Sequence, residues 1–143
     1  MTTPPKVSRE EWLKVRIELL RKEKEHSKVR DELTRARQEM PWVKVEKDYV
    51  FEGPSGKAHL RNLFEGKSQL IVYHFMFEND WEEGCKSCSF LADHYEPAIV
   101  HLANRDVAMA TISKAPLEKL EAFKKRMKWN FNWLSSENSD FNH

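Results

Sequence analysis

Leu70-Ile71-Val72-Tyr73-His74-Phe75-Met76-Phe77 is an unbroken apolar run, and Gly84-Cys85-Lys86-Ser87-Cys88 follows it after a short polar stretch. A run of this length, bounded by turn signals, reads as a strand buried on both faces, as in parallel α/β sheets. A helical pattern begins near Cys85 and carries Phe90, Leu91, Tyr95, Ile99 and Leu102. Pro97 falls inside it and is predicted to kink it, because it removes one donor and crowds the preceding turn. Val107 to Ile112 reads as a second strand. Pro116 suits the first turn of a further helix bearing Leu117, Leu120, Phe123 and Met127, and Phe131 to Leu134 reads as a short last strand. Strand, helix, strand, helix, strand over residues 68–136 is the alternation that builds a parallel sheet through right-handed crossovers.

Toward the N-terminus, Trp42, Val43, Val45, Tyr49, Val50 and Phe51 suggest extended structure, and Gly53-Pro54-Ser55-Gly56 is a turn signal. Residues 42–64 are therefore expected to form a β-hairpin leading into the α/β core. Before Pro41 the chain reads as one long helix from about Ser8 to Gln38. Ser8 and Glu11 make an S-x-x-E capping box, and Trp12, Val15, Leu19 and Leu20 recur at helical spacing. Val29, Leu33, Ala36 and Met40 resume that spacing after a polar middle, Arg21 to Lys28. Glu10/Lys14, Glu18/Lys22 and Asp31/Arg35 are favourable i, i+4 pairs. Acids interrupt the bases throughout, which argues against a nucleic-acid-binding basic region. The expected organisation is an N-terminal helical arm, 1–41, and one α/β domain, 42–143.

With 143 residues, the chain is long enough for one well-cored domain. Its 24 basic and 23 acidic residues leave a formal net charge of +1, which exerts no general pull toward nucleic acid or anionic membrane. No segment approaches the roughly 20 apolar residues that span a bilayer, and Met1 to Lys6 lacks the apolar stretch of a signal peptide. A cytoplasmic location is the expectation, with neither nucleic acid nor membrane as partner. Two cysteines three positions apart do not make a disulfide-stapled scaffold. In a reducing compartment they imply redox chemistry, metal binding or coincidence.

Two cysteines separated by two residues at the first turn of a helix can close a disulfide without unwinding the chain. The helix amides and dipole favour a thiolate on the first, and Lys86 adds a positive charge beside it. Cys85 is thus the expected nucleophile. Cys88, one turn further in, is the expected resolving thiol, which displaces substrate from a mixed disulfide. Glu78, Asp80, Glu82 and Glu83 oppose this by surrounding the pair with negative charge. Trp81 is a candidate apolar lip beside Cys85, and His74 is kept as a supporting residue for its closeness to the dithiol in sequence. His94 and His101 share a helix face, so a Cys-Cys-His-His zinc set with Cys85 and Cys88 is the rival reading, although its spacing matches no finger pattern. His26, His59 and His143 carry no pattern.

The run from Gly84 to Phe90, then Val100-His101-Leu102-Ala103-Asn104-Arg105-Asp106-Val107, then Ser113-Lys114-Ala115-Pro116-Leu117-Glu118-Lys119, resembles a thioredoxin-like bacterial family of unknown function. Its members are described as predicted dithiol-disulfide oxidoreductases. Trp129 to Ser136 and the closing Ser139-Asp140-Phe141-Asn142 fit the same family, and the order of elements is distantly similar to peroxiredoxins. The resemblance implies a thioredoxin-like α/β fold and a thiol–disulfide oxidoreductase that uses Cys85 and Cys88 without metal or organic cofactor. Its substrate would be a protein disulfide, a small disulfide or a peroxide, and its reductant an external dithiol or thioredoxin system. Relatives in that family continue past the equivalent of Asn142 with an antiparallel strand pair, opened by a cis-proline, and a last helix. Pro116 is not equivalent to that proline. The fold is therefore expected to be C-terminally incomplete, with the 70–77 strand lacking a neighbour on one side. Dimerisation, strand exchange or cover by the N-terminal segment would follow, hence a homo-oligomer. The alternatives are a non-catalytic or redox-sensing thioredoxin-like oligomerisation module and a zinc-binding domain.

Overall fold

The computed structural model describes residues 3–142; Met1, Thr2 and His143, the last a histidine without pattern in the sequence, lie outside them. The chain divides into two compact units, 1–45 and 46–143. The first is dominated by a single helix, α1 (Arg9–Gln38). Its capping box forms: the Glu11 amide donates to Ser8 Oγ across 3.2 Å, and the Ser8 amide donates to Glu11 Oε2 across 3.0 Å. The Ser8 hydroxyl first, donating to Glu11 Oε2 across 2.7 Å, and then the Ser8 amide hold the Glu11 carboxyl below its ordinary pKa. Arg35 and Arg37 lie in the last turn, where positive charge complements the helix dipole. Of the expected pairs, Glu10–Lys14 closes at 3.1 Å, whereas Glu18 takes Arg21 and Asp31 lies nearest Arg30.

The second unit is an α/β domain around a five-stranded mixed sheet. Its elements are β1 (Val50–Gly53), β2 (Gly56–His59), β3 (Gln69–His74), α2 (Lys86–Tyr95), α3 (Ile99–Ala103), β4 (Val107–Ser113), α4 (Leu117–Met127) and β5 (Trp133–Ser135). Their spatial order is β2-β1-β5-β4-β3. The three strands of the core, β3, β4 and β5, run parallel, as the strand–helix alternation requires. The hairpin joins this set antiparallel through Glu52 opposite Ser135. The turn between β1 and β2 uses Gly56 at φ 104°, a backbone region that glycine enters without steric cost.

Three sequence expectations need correction. The hairpin is shorter than residues 42–64. Residues 42–49 join no ladder, Trp42 is 97% exposed, and Leu60–Phe64 is a turn of 3₁₀ helix that drops Leu63 into the core. Second, the 70–77 run is not buried on both faces. It forms an edge of the sheet, with β4 as its ladder partner, and Ile71 and Met76 are exposed. The ladder ends at His74, although Phe75 to Phe77 stay extended through bonds from the Phe75 amide to Ile112 and from the Ala115 amide to Phe77. Third, Pro97 does more than kink its helix: α2 stops at Tyr95, Glu96–Ala98 is 3₁₀, and α3 resumes at Ile99.

The period of two along β3 sorts the side chains onto two cores. Tyr73, Phe75 and Phe77 face one, shared with Cys88, Ala92, Leu120, Phe123, Trp129, Phe131 and Trp133. Leu70 and Val72 face the other, where Phe51, Leu63, Ala110, Ile112 and Leu134 pack. Phe141, in a short 3₁₀ turn (Asp140–Asn142), closes the second core with edge contacts to the rings of Tyr49 and Phe51. Between the two, Ser113 is fully buried; its hydroxyl donates to the Phe75 carbonyl across 2.6 Å and accepts from Trp133 Nε1 across 2.9 Å. A buried hydroxyl so satisfied carries little desolvation penalty.

Candidate active site

Sequence places the dithiol where the apolar strand gives way to a helix, and local bonding shapes that junction. After Phe77 the chain makes a polar loop and returns so that the Cys85 amide donates to the Met76 carbonyl across 3.0 Å. Gly84 makes the return: a Cβ there would lie 2.7 Å from Cε1 of Phe75 and 3.4 Å from Cζ of Phe123, so only a bare backbone passes over those rings. Cys85 is then the N-cap of α2. Its backbone is extended, and its sulfur accepts the Cys88 amide across 3.4 Å, in the role that serine or aspartate more often fills.

Cys85 is half-buried and Cys88 is 6% exposed, and both are free thiols. The Cys88 amide first, then the Cys88 side chain, hold the Cys85 thiol below its ordinary pKa, against a smaller opposing effect of burial. Of the surrounding acids, Glu83 pairs with Arg126 at 2.8 Å and Glu78 lies 3.6 Å from Lys114, so two of the four negative charges have cations beside them.

Lys86 begins α2 and is exposed immediately next to Cys85, and Trp81 is exposed on the loop that precedes it. His74 is elsewhere. It points away from the dithiol, with Nε2 2.9 Å from Oδ1 of Asn142 and its ring against Phe141. It lines a small open cavity of about 270 Å³ with Met76, Glu78, Lys114 and Asn142. Adjacent strand residues face opposite sides of a sheet, so His74, between Tyr73 and Phe75 on the dithiol face, is turned away from it.

Tyr73 is the residue that sequence reasoning passed over. Its side chain lies on the dithiol face, packed against the core that holds Cys88. Burial first, and then the neighbouring Cys88 side chain, push the Tyr73 hydroxyl above its usual pKa. Tyr95 packs edge-on against Tyr73 at 5.2 Å and pairs its own hydroxyl with Thr111 across 2.8 Å; burial raises it to about 12. The signal was present in the parity of the strand: Phe75 and Phe77 share a face with Tyr73, and the helix that carries the cysteines must cover that face.

The zinc set is not assembled. His94 engages the Phe90 carbonyl within its own helix at 2.6 Å, and among the described residues no three His, Cys, Asp or Glu side chains converge as a metal cluster would. Nor is any helix among them long and apolar enough to cross a membrane.

Comparison with known proteins agrees on the family. A family described as a bacterial protein of unknown function (DUF899) matches residues 1–143, and the chain belongs to it. None of the curated proteins compared with the chain matches it. Seven solved chains do match. Among them is a solution structure from Bacteroides thetaiotaomicron, provisionally described as a protein disulfide isomerase, with 23% identity and a TM-score of 0.46. The similarity covers 68% of this chain and 58% of that one, so this chain spans little more than half the length of that structure.

Proposed function

We propose that this chain is a thiol–disulfide oxidoreductase in which residues 42–143 form a thioredoxin-like domain and residues 1–41 an arm. The observation that carries this reading is the Cys88 amide at 3.4 Å from the Cys85 sulfur, an N-cap bond that stabilises negative charge on the more exposed thiol of a Cys-x-x-Cys pair. Cys85 is the nucleophile. Its thiolate attacks one sulfur of a substrate disulfide, the substrate S–S bond breaks, and the departing thiolate takes a proton from water. The mixed disulfide is resolved by Cys88, whose sulfur, on losing its proton, attacks the Cys85 sulfur. The second substrate thiol leaves, and a Cys85–Cys88 disulfide forms. Two electrons pass from the chain to the substrate, and an external dithiol returns them.

Tyr73 belongs to the second half of this cycle, because it packs on the face that holds Cys88, where its hydroxyl can donate to that sulfur as it becomes charged. Lys86 contributes a nearby positive charge to the first half. Trp81 offers an exposed apolar surface for the substrate beside the loop. No metal or organic cofactor enters the cycle.

Redox titration of the chain against a glutathione or dithiothreitol buffer tests the reading. A single reversible two-electron transition between dithiol and Cys85–Cys88 disulfide is expected, and Cys85→Ser should abolish disulfide reductase activity. Thiols that stay reduced across the buffer range, or activity that survives Cys85→Ser, would overturn it.

A further inference from the structure

We infer that α1 is one strand of a parallel two-stranded coiled coil, whose partner is α1 of a second copy of this chain. The inference is independent of the dithiol chemistry.

Along α1 an apolar seam recurs at alternating steps of three and four. Trp12, Val15 and Leu19 form its first end, Val29, Leu33 and Ala36 its second, and Lys22 and His26 occupy the two seam positions between. Counted this way, residues 12, 19, 26 and 33 are a positions and residues 15, 22, 29 and 36 are d positions of a continuous heptad. From Trp12 to Ala36 the seam is 24 steps long, about 36 Å at ~1.5 Å per residue. No residue of α1 is buried, and the apolar side chains of the seam from Trp12 to Leu33 lie open, Val15 at 70%. Leu13, Ile17 and Leu20 are also exposed, at outer heptad positions. Their successors, Lys24, Ser27, Asp31 and Thr34, are polar, so the a/d seam is the apolar stripe that runs to both ends.

The flanking charges identify the occupant. Every g position is an acid: Glu11, Glu18, Glu25, Glu32 and, just past the helix, Glu39. Four of the five e positions are arginine: Arg9, Arg16, Arg30 and Arg37, with Glu23 the exception. In a parallel pair each g residue meets the e residue five places on in the other helix. Glu11 then faces Arg16 of the second copy, Glu25 faces Arg30, and Glu32 faces Arg37. The one like-charged meeting is Glu18 with Glu23, and each of these has an arginine of its own helix within reach, Arg21 at 3.2 Å and Arg16 at 3.0 Å. An antiparallel pair would set g against g and e against e, glutamate on glutamate and, for the most part, arginine on arginine. The charges therefore select both self-pairing and its direction. Lys22 and His26 in mid-seam weaken the contact and hold it in register, because any slip would oppose them to apolar layers.

Sedimentation equilibrium on the full chain, from about 1 to 200 μM, tests the inference. A concentration-dependent rise from 17.0 kDa to twice that mass is expected. The triple variant Glu11→Arg/Glu25→Arg/Glu32→Arg should raise the dissociation constant roughly tenfold or more. Mixing it with Arg16→Glu/Arg30→Glu/Arg37→Glu should restore dimers of mixed composition. Direction is read by Ala36→Cys with both native cysteines changed to serine: a parallel pair cross-links rapidly on oxidation, an antiparallel pair does not. Circular dichroism of each variant confirms that the sheet domain remains folded. A constant 17.0 kDa mass, a trimer, indifference to charge reversal, or failure of Ala36→Cys to cross-link would each overturn the inference.

Discussion

Nε1 of Trp129 donates to Oδ1 of Asp93 across 2.7 Å, linking the segment after α4 to the last turn of the helix that Cys85 caps. The same two elements are joined again where the Asn130 amide donates to Glu96 across 2.9 Å. The indole packs against Phe75, Phe123 and Trp133, so a single side chain both fills the core beneath the dithiol and anchors the helix above it. Trp129→Phe keeps a ring and removes the donor. Because Asp93 is exposed, the expected loss is about 0.5–1.5 kcal/mol. Urea denaturation checks it, and an unchanged midpoint would count against any role for the bond.

Gly84→Ala should cost more, about 1–3 kcal/mol, since the new methyl would sit 2.7 Å from the Phe75 ring. Trimming the obstacle is the control. Phe75→Leu combined with Gly84→Ala should be less destabilised than the two single effects added together. Strict additivity would show that the steric clash is not the cause.

The alkylation rate of Cys85, measured in Cys88→Ser to isolate it, should rise with pH through a midpoint below the ~8.5 of an ordinary thiol. The backbone amide at position 88 is retained in that variant. A thiol whose pKa is depressed by folding stabilises the folded state above its unfolded value and loses that contribution as pH falls through the folded value. Stability in the reduced form should therefore decline from pH 9 toward neutrality by whatever share Cys85 supplies. A midpoint at or above 8.5 is the contrary result.

Tyr73→Phe separates the two halves of the proposed cycle. It keeps the edge contacts with Phe75 and Tyr95 but removes the hydroxyl from the face that holds Cys88. Resolution of a mixed disulfide on Cys85 should slow by roughly three- to tenfold, the kinetic equivalent of one hydrogen bond to a developing charge. The first alkylation of Cys85 should be unaffected. Equal slowing of both steps would mean that the substitution disturbs packing instead.

His74→Gln should leave the dithiol potential and the Cys85 midpoint where they are, because the ring serves the opposite face through Asn142. A shift of the Cys85 midpoint by half a pH unit or more would return His74 to the active site.

The dithiol was legible because its chemistry is written in contiguous residues. An apolar run, a loop, a cysteine able to cap a helix and a second cysteine one turn on need no long-range knowledge. The α/β alternation, the long capped helix and the hairpin turn at Gly53–Gly56 were legible for the same reason. His74 and Tyr73 were confused because sequence proximity was weighed above strand parity, and parity decides which face a side chain meets. The hairpin was drawn too long because Trp42 to Tyr49 carry strand-like residues, whereas a strand also requires a partner ladder, which only the folded sheet reveals. The edge position of the run follows from the family resemblance and not from the run itself, whose apolar residues read as buried on both faces although Ile71 and Met76 are exposed.

The five tryptophans are unevenly placed. Trp129 and Trp133 are buried under the dithiol helix, Trp133 bonded through Ser113 to the strand that leads to Cys85, while Trp12, Trp42 and Trp81 are exposed in the single chain. The protein thus carries two optically separable populations of indole. Iodide will quench the red-shifted emission of the exposed indoles and leave the blue emission of the buried pair. Unfolding of the sheet domain can therefore be followed by intrinsic fluorescence, without a label, while the long helix is monitored by its dichroism.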